Sequence, residues 1–251
     1  MAVGWCTSGS PTKMIIPQLD RDSLAAHRVQ VVREGHRTRP EIISIHIAGS
    51  DLVVKDYRNG KSLFGLLLSR FLTAREWAAY QRLDGLAGVP HCYGRLDPYA
   101  LVVEHVPSHR AMDLTANHVP PDFFDRLAEL VESLHRRGLA HGDLHKLDNI
   151  LIDDHGHPVI VDFTSALISG SNPLVALLFP LLRDDDWRGV YKLKQKVATH
   201  LLTKSERDFL EKRSRCERVF RCLREPVRRF IQRSATAPDC PANSGEPDSP
   251  S

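Results

Sequence analysis

Apolar and polar positions alternate in the first third of the chain and lengthen into a helical period afterwards. "VQVV" (29–32) and "EIISIHI" (41–47) flank the polar loop "REGHRTRP", and Ile43, Ile45 and Ile47 share one face, which predicts strands. Gly49-Ser50 predicts a two-residue hairpin turn. "LVVKDY" then returns antiparallel, with Lys55 on the face of Val53. From Leu63 to Leu83, Phe64, Leu67, Leu68, Phe71 and Leu72 form one helical stripe. A short strand follows at Val102-Val103. Phe123 to Arg137 repeats apolar residues at 123, 124, 127, 130, 131 and 134, and Gly138 stands where that helix should end. "NILI" and "VIVDF" predict two short strands around the turn "DDHGHP". The helical period returns from Leu201 to Arg233, with Phe209, Leu210, Cys216, Val219, Phe220, Leu223 and Val227 on one face and a break near Pro226. Strands first and helices later suggest an α+β chain in two lobes.

Composition narrows the class. With 251 residues, 42% hydrophobic and 26% charged, the chain reads as a soluble globular protein with a sizeable core. The longest apolar run, "LVALLFPLL" (174–182), is too short to span a bilayer and is broken by Pro180. The N-terminus has no basic start followed by an apolar run, so a secretory signal is not expected. Five cysteines without a CxxC pair suggest neither a disulfide framework nor a zinc ribbon, and fit a reducing cytoplasm.

The net charge of +3 is unevenly placed: Arg188 to Arg233 holds 15 Lys/Arg and 5 Asp/Glu. That segment is either a solvated helix face or a surface for phosphate, anionic lipid or nucleic acid. No set of aromatics for base stacking accompanies it, which argues against nucleic acid.

The chemistry concentrates in "LAHGDLHKLDNILIDDHGHPVIVDF", residues 139–163. His141-Gly142-Asp143 lies just beyond the helix that ends at Gly138. Asn149 starts one strand of the hairpin and Asp162 ends the other, so both fall at its open end. Asp143, Asn149 and Asp162 can thus converge, and oxygen ligands of this kind suit Mg²⁺ shared with a phosphate. Asp153 and Asp154 belong to the turn.

"HGDLHKLDNIL" followed by "VDF" resembles the catalytic loop and metal-binding Asp-Phe pair of the protein-kinase-like superfamily. "LVVK", ending at Lys55, is similar to the strand whose lysine contacts nucleotide phosphates, and "TAREWAAYQRL" offers Glu76 as its partner. The resemblance covers roughly 27–165. It implies a bilobal fold: a small antiparallel β-sheet N-lobe with one helix (24–104) and a mainly helical C-lobe (105–233). A flexible N-terminus (1–23) and a disordered tail (234–251) would flank it. It further implies an ATP-dependent phosphotransferase. Asp143 would accept the proton of an acceptor hydroxyl, and Asn149 and Asp162 would hold Mg²⁺. Lys55, fixed by Glu76, would position the α- and β-phosphates, and the main chain of Glu104 to Val106 would meet adenine. Thr73-x-x-Glu76 is also a capping-box pattern, which would give Glu76 to the helix end instead.

The sequence departs from the superfamily pattern in four places. Gly142 replaces the arginine of His-Arg-Asp, as in antibiotic, choline and atypical bacterial kinases. No "APE" or long activation segment follows "DFTSAL", which points to compact bacterial RIO-like and lipopolysaccharide (Kdo/heptose) kinase types. The phosphate loop has only Gly35, with Arg33, His36, Arg37 and Arg39 either supplying charge or simply solvated. Finally, the usual Asp-to-Asn spacing lands on Asp148, one residue before Asn149.

The acceptor is left open between a lipopolysaccharide sugar and a protein Ser/Thr. "LVALLFPLL" with Lys192, Lys194 and Lys196 is either core or a peripheral contact with an anionic inner membrane. The alternative to an enzyme is a pseudokinase that binds nucleotide or a partner.

Overall fold

In the computed structural model the described residues are 19–35, 39–47, 49–58, 63–114, 119–170 and 172–212. The expectations for residues 1–18, for His36 and Arg37 and for the helix and tail beyond 212 lie outside them.

The N-lobe is a five-stranded antiparallel sheet in the order β1-β2-β3-β5-β4. Its strands are β1 (Arg28–Arg33), β2 (Glu41–Ile47), β3 (Ser50–Asp56), β4 (Cys92–Asp97) and β5 (Ala100–Glu104). The short α1 (Arg21–His27) precedes it, so this lobe holds two helices where the sequence suggested one. The β2–β3 register pairs Ile47 with Ser50, so the hairpin turn falls one residue before Gly49-Ser50. Gly49 carries φ 77°, which a side chain would resist. β3 is central, with Lys55 opposite Ile42 on one side and Leu101 on the other. Its alternation sends Leu52 and Val54 into a core with Ile43, Ile45, Ala100 and Val102, while Val53 packs the other way. Lys55 shares the face of Val53.

α2 (Leu63–Leu83) has the expected bounds but the opposite orientation. Phe64, Leu67 and Phe71 of the apolar stripe are exposed, as is Leu63 before them at 76%, while Leu68 and Leu72 are half-buried. Ser69, Thr73 and Glu76 are buried instead, continued by Ala79, Tyr80 and Leu83. The buried polar groups have partners: Ser69 Oγ donates to the Tyr57 carbonyl at 2.6 Å and Thr73 Oγ1 to the Ser69 carbonyl at 2.9 Å. Thr73 is therefore mid-helix and caps nothing.

The C-lobe follows a three-residue strand, β6 (Ser108–Arg110), with α3 (Phe123–Arg136), β7 (Leu139–Ala140), β8 (Ile150–Asp153), β9 (Pro158–Ile160), β10 (Leu167–Ile168), α4 (Pro173–Val197) and α5 (Lys204–Glu211). α3 buries Phe123, Phe124, Leu127, Leu130, Val131 and Leu134. Burying a side chain of this size contributes about 1.5–3 kcal/mol. Gly138 ends the helix at φ 71°. β6, β8 and β9 form a small sheet, and β7 pairs with β10. β9 stops at Ile160, short of the "VDF" end that the sequence pattern suggested.

Only a short link joins Asp162 to α4, as the missing activation segment implied. α4 begins at Pro173, with Asn172 Oδ1 accepting from the Leu174 amide. Its first turns are surface, with Leu174 and Leu177 exposed; the core reading of 174–182 is therefore corrected. Lys194 is held by Glu206 at 2.9 Å. The apolar run ends at Leu182, about 15 Å along the helix from Lys192.

The buried face of α4 is Asp186, Gly189, Val190, Leu193 and Val197. A Cβ on Gly189 would sit 2.5 Å from the carbonyl carbon and oxygen of Leu144. Gly189→Ala is expected to cost about 1–3 kcal/mol by overpacking, read as a lower urea midpoint with an unchanged slope.

Candidate active site

Three segments meet in front of β3. The first is the face of β3 that carries Lys55. Lys55 Nζ is in an ion pair with Glu76 Oε1 of α2 and lies 3.5 Å from Asp162 Oδ1. Lys55 is 6% exposed and Glu76 0%. Burial alone would depress the ammonium, but Asp162 and Glu76 beside it hold its pKa well above the ordinary lysine value. Burial pushes the Asp162 carboxyl up, and Lys55 with the Thr164 hydroxyl more than reverses this, leaving it well below the ordinary aspartate range.

The second segment is the loop after β7. His141 is buried; its Nε2 lies 3.0 Å from the Val161 carbonyl and its ring centroid 5.1 Å from that of Phe163. It packs the loop against the Asp-Phe pair. Gly142 has φ 72°, and a Cβ there would lie 3.0 Å from Leu182 Cδ2 and 3.1 Å from the Ser165 carbonyl, so backbone and space both favour glycine. Asp143 is 6% exposed. Lys146 Nζ donates to its Oδ2 at 2.5 Å, and His145 Nε2 is 3.4 Å from Oδ1.

The step from Asp143 to Asn149 is taken up by two successive turns: Lys146 N to Asp143 O at 3.1 Å, and Asn149 N to Lys146 O at 3.0 Å. These turns send Asn149 and Asp148 apart. Asn149 is 7% exposed and its Nδ2 donates to the Asp143 carbonyl at 3.1 Å. The Asp148 side chain is 65% exposed and pairs with Arg110 at 3.2 Å. Asn149→Ala is expected to weaken Mg-ATP binding at least about tenfold, and Asp148→Ala less than about twofold, by calorimetric titration.

The third segment is Asp162 to Ala166. Asp162 has φ 68°, the one positive φ outside glycine among the described residues. That conformation costs about 1–3 kcal/mol and persists only when its surroundings hold it. They do so here: the Val161 amide donates to the Asn149 carbonyl at 3.1 Å, and Phe163 packs edge-on against Tyr80 with centroids 5.2 Å apart. Arg75 donates to the carbonyls of Ala166 and Ser165 at 2.8 and 2.9 Å, tying α2 to this turn.

Asp186 was not foreseen. It is fully buried and accepts the amides of His141 and Gly142, both at 2.8 Å, while His135 Nε2 lies 2.9 Å away. It thus fixes the backbone that aims Asp143. Its signal in the sequence was its phase with Gly189, Val190, Leu193 and Val197 rather than its place in the acidic run "DDD".

At the edge of the cleft, the amides of Glu104 and His105 are already used. They donate to the carbonyls of His91 at 2.8 Å and of Asp51 at 3.3 Å. Ser108 Oγ donates to the Val106 carbonyl at 2.9 Å. The Glu104 side chain accepts from the His91 amide at 2.9 Å and so serves the strand end.

The donor set suits Mg²⁺. Asp162 stays ionised, and the Asn149 amide nitrogen is spent on Asp143, which leaves its oxygen as the free end. One carboxylate and one amide oxygen leave the remaining positions of an octahedral ion to phosphate and water.

These elements give the chain a protein-kinase-like fold. The Rio2 kinase from Chaetomium thermophilum is similar with a TM-score of 0.58 and 18% identity, over 89% of this chain and 79% of that one. The complex of that organism's Rio2 kinase with ADP/Mg²⁺ and phosphoaspartate gives 0.55 and 20%, over 85% and 74%. WaaP in complex with acyl carrier protein gives 0.53 and 18%, over 90% and 95%. No protein-family model and no curated protein matches the sequence.

Proposed function

We propose that the protein is a phosphotransferase that moves the γ-phosphoryl group of Mg-ATP to a hydroxyl acceptor. The observation that supports this most is the buried Lys55–Glu76 pair facing Asp162, with Asn149 bonded to the Asp143 backbone beside it. A similar structure holding ADP and Mg²⁺ adds weight. In this reading Lys55 binds the α- and β-phosphates, and Asp162 with Asn149 holds Mg²⁺. Bound there, the ion neutralises charge on the phosphates. Adenine meets the main chain at Val106, because the Glu104 and His105 amides are occupied. Asp143 accepts the proton of the acceptor hydroxyl as its oxygen bonds the γ-phosphorus. The bond to the β–γ bridging oxygen breaks and ADP leaves. Lys146 must move from Asp143 for this to happen.

The acceptor is either a lipopolysaccharide sugar or a protein Ser/Thr. Incubation with Mg²⁺ and γ-labelled ATP beside both acceptor classes tests the reading. Label on one class, lost on chelating Mg²⁺, supports it; nucleotide binding with no transfer to either class or to the protein itself overturns it. That second result is what a nucleotide-binding module would give. The closure of Lys146 on Asp143 is the observation that favours this alternative.

A further inference from the structure

Tyr57 and Thr164 complete a closed circuit with the three charged groups of the cleft. Lys55 Nζ pairs with Glu76 Oε1. Glu76 Oε2 accepts from the Tyr57 hydroxyl at 2.5 Å. Tyr57 Oη is 2.9 Å from Thr164 Oγ1, which donates to Asp162 Oδ1 at 2.5 Å. Asp162 Oδ1 closes the circuit at 3.5 Å from Lys55. Three oxygen–oxygen contacts share two hydroxyl protons, so one proton serves each carboxylate: Tyr57's goes to Glu76 and Thr164's to Asp162, and the Tyr57–Thr164 approach closes the ring by packing, without a hydrogen bond of its own.

The circuit joins segments far apart in sequence. Tyr57 follows Lys55 by two residues and so continues its face of β3. Its backbone is pinned on both sides, by its amide on the Tyr99 carbonyl at 2.9 Å and by its carbonyl under Ser69 Oγ at 2.6 Å. Thr164 is the residue directly after Asp162-Phe163. Its hydroxyl and the Lys55 ammonium both address Oδ1, which orients the Asp162 carboxylate and turns its other oxygen away from them.

We infer that Tyr57 and Thr164 are positioning residues. They hold the Asp162 carboxylate and the Lys55–Glu76 pair in their working geometry, in a chain that joins Asp162 to α4 by only a short link. The inference rests on the phosphotransferase reading.

The test uses wild type, Tyr57→Phe, Thr164→Val and Thr164→Ser. Each is titrated with ATP calorimetrically across a Mg²⁺ series and in EDTA, beside thermal unfolding. Valine keeps the shape of threonine without its hydroxyl; serine keeps the hydroxyl. Thr164→Val is expected to raise the Mg²⁺ concentration for half-maximal ATP tightening about tenfold, with metal-free ATP affinity within about twofold of wild type. Thr164→Ser is expected to follow wild type. Tyr57→Phe, which loosens Glu76, is expected to weaken ATP binding several-fold both with and without Mg²⁺. A wild-type Mg²⁺ profile in folded Thr164→Val, or a serine variant as impaired as valine, overturns the role of Thr164. If Thr164→Val does not fold, the serine and phenylalanine variants decide. A wild type that binds no Mg-ATP fails the phosphotransferase reading itself, and the inference with it. Wild-type binding with unaffected variants fails the inference alone.

Discussion

Asp186→Ala is expected to lower unfolding stability by about 3–5 kcal/mol, the summed cost of leaving buried donors without their acceptor. The carboxylate is fully buried and its oxygens take the amides of His141 and Gly142, with His135 beside one of them. Alanine would leave two amides and an imidazole nitrogen buried without partners, each at the cost of its desolvation. Asp186→Asn keeps one acceptor oxygen and is expected to lose less. Urea unfolding of the two variants beside wild type measures both. Equal midpoints for all three proteins would show that Asp186 does not hold the loop.

Asp143→Ala is expected to reduce phosphoryl transfer about 10²–10⁴-fold, the range for removing a general base, with Mg-ATP affinity within about threefold of wild type. The asymmetry follows from position. Asp143 contacts Asn149 through its backbone carbonyl, which alanine keeps, and its side chain faces Lys146 and His145. Rapid-quench transfer assays and calorimetry separate the two quantities. A variant that loses ATP binding and transfer together would place Asp143 among the nucleotide ligands.

The order of motifs made the framework legible. Strand alternation placed Lys55 on the face of Val53, and the hairpin of β8 and β9 brought Asn149 and Asp162 to one end. What misled was α2. Its local pattern assigns Phe64, Leu67 and Phe71 to a core, yet the buried face carries Ser69, Thr73 and Glu76. A helix that serves a polar cleft turns its polar side inward, and amphipathicity read without that knowledge inverts it.

Asp186 was hidden for the related reason that it lies 45 residues from the amide it holds, inside an acidic run that reads as solvated. Asp148 and Asn149 could not be separated by spacing, because the two turns of the loop are a property of its hydrogen bonds. Tyr57 and Thr164 each stand two residues after a recognised one, Lys55 and Asp162, and only the fold brings their hydroxyls together.

The proposed function stands on nucleotide binding in this cleft through a metal held by Asp162. Calorimetric titration of ATP into wild type and Asp162→Asn, each with Mg²⁺ and with EDTA, tests it most directly. Mg²⁺ is expected to tighten wild-type binding at least about tenfold and to leave Asp162→Asn almost unchanged. ATP binding that ignores Mg²⁺ in wild type, or a Mg²⁺ response kept by Asp162→Asn, would contradict it.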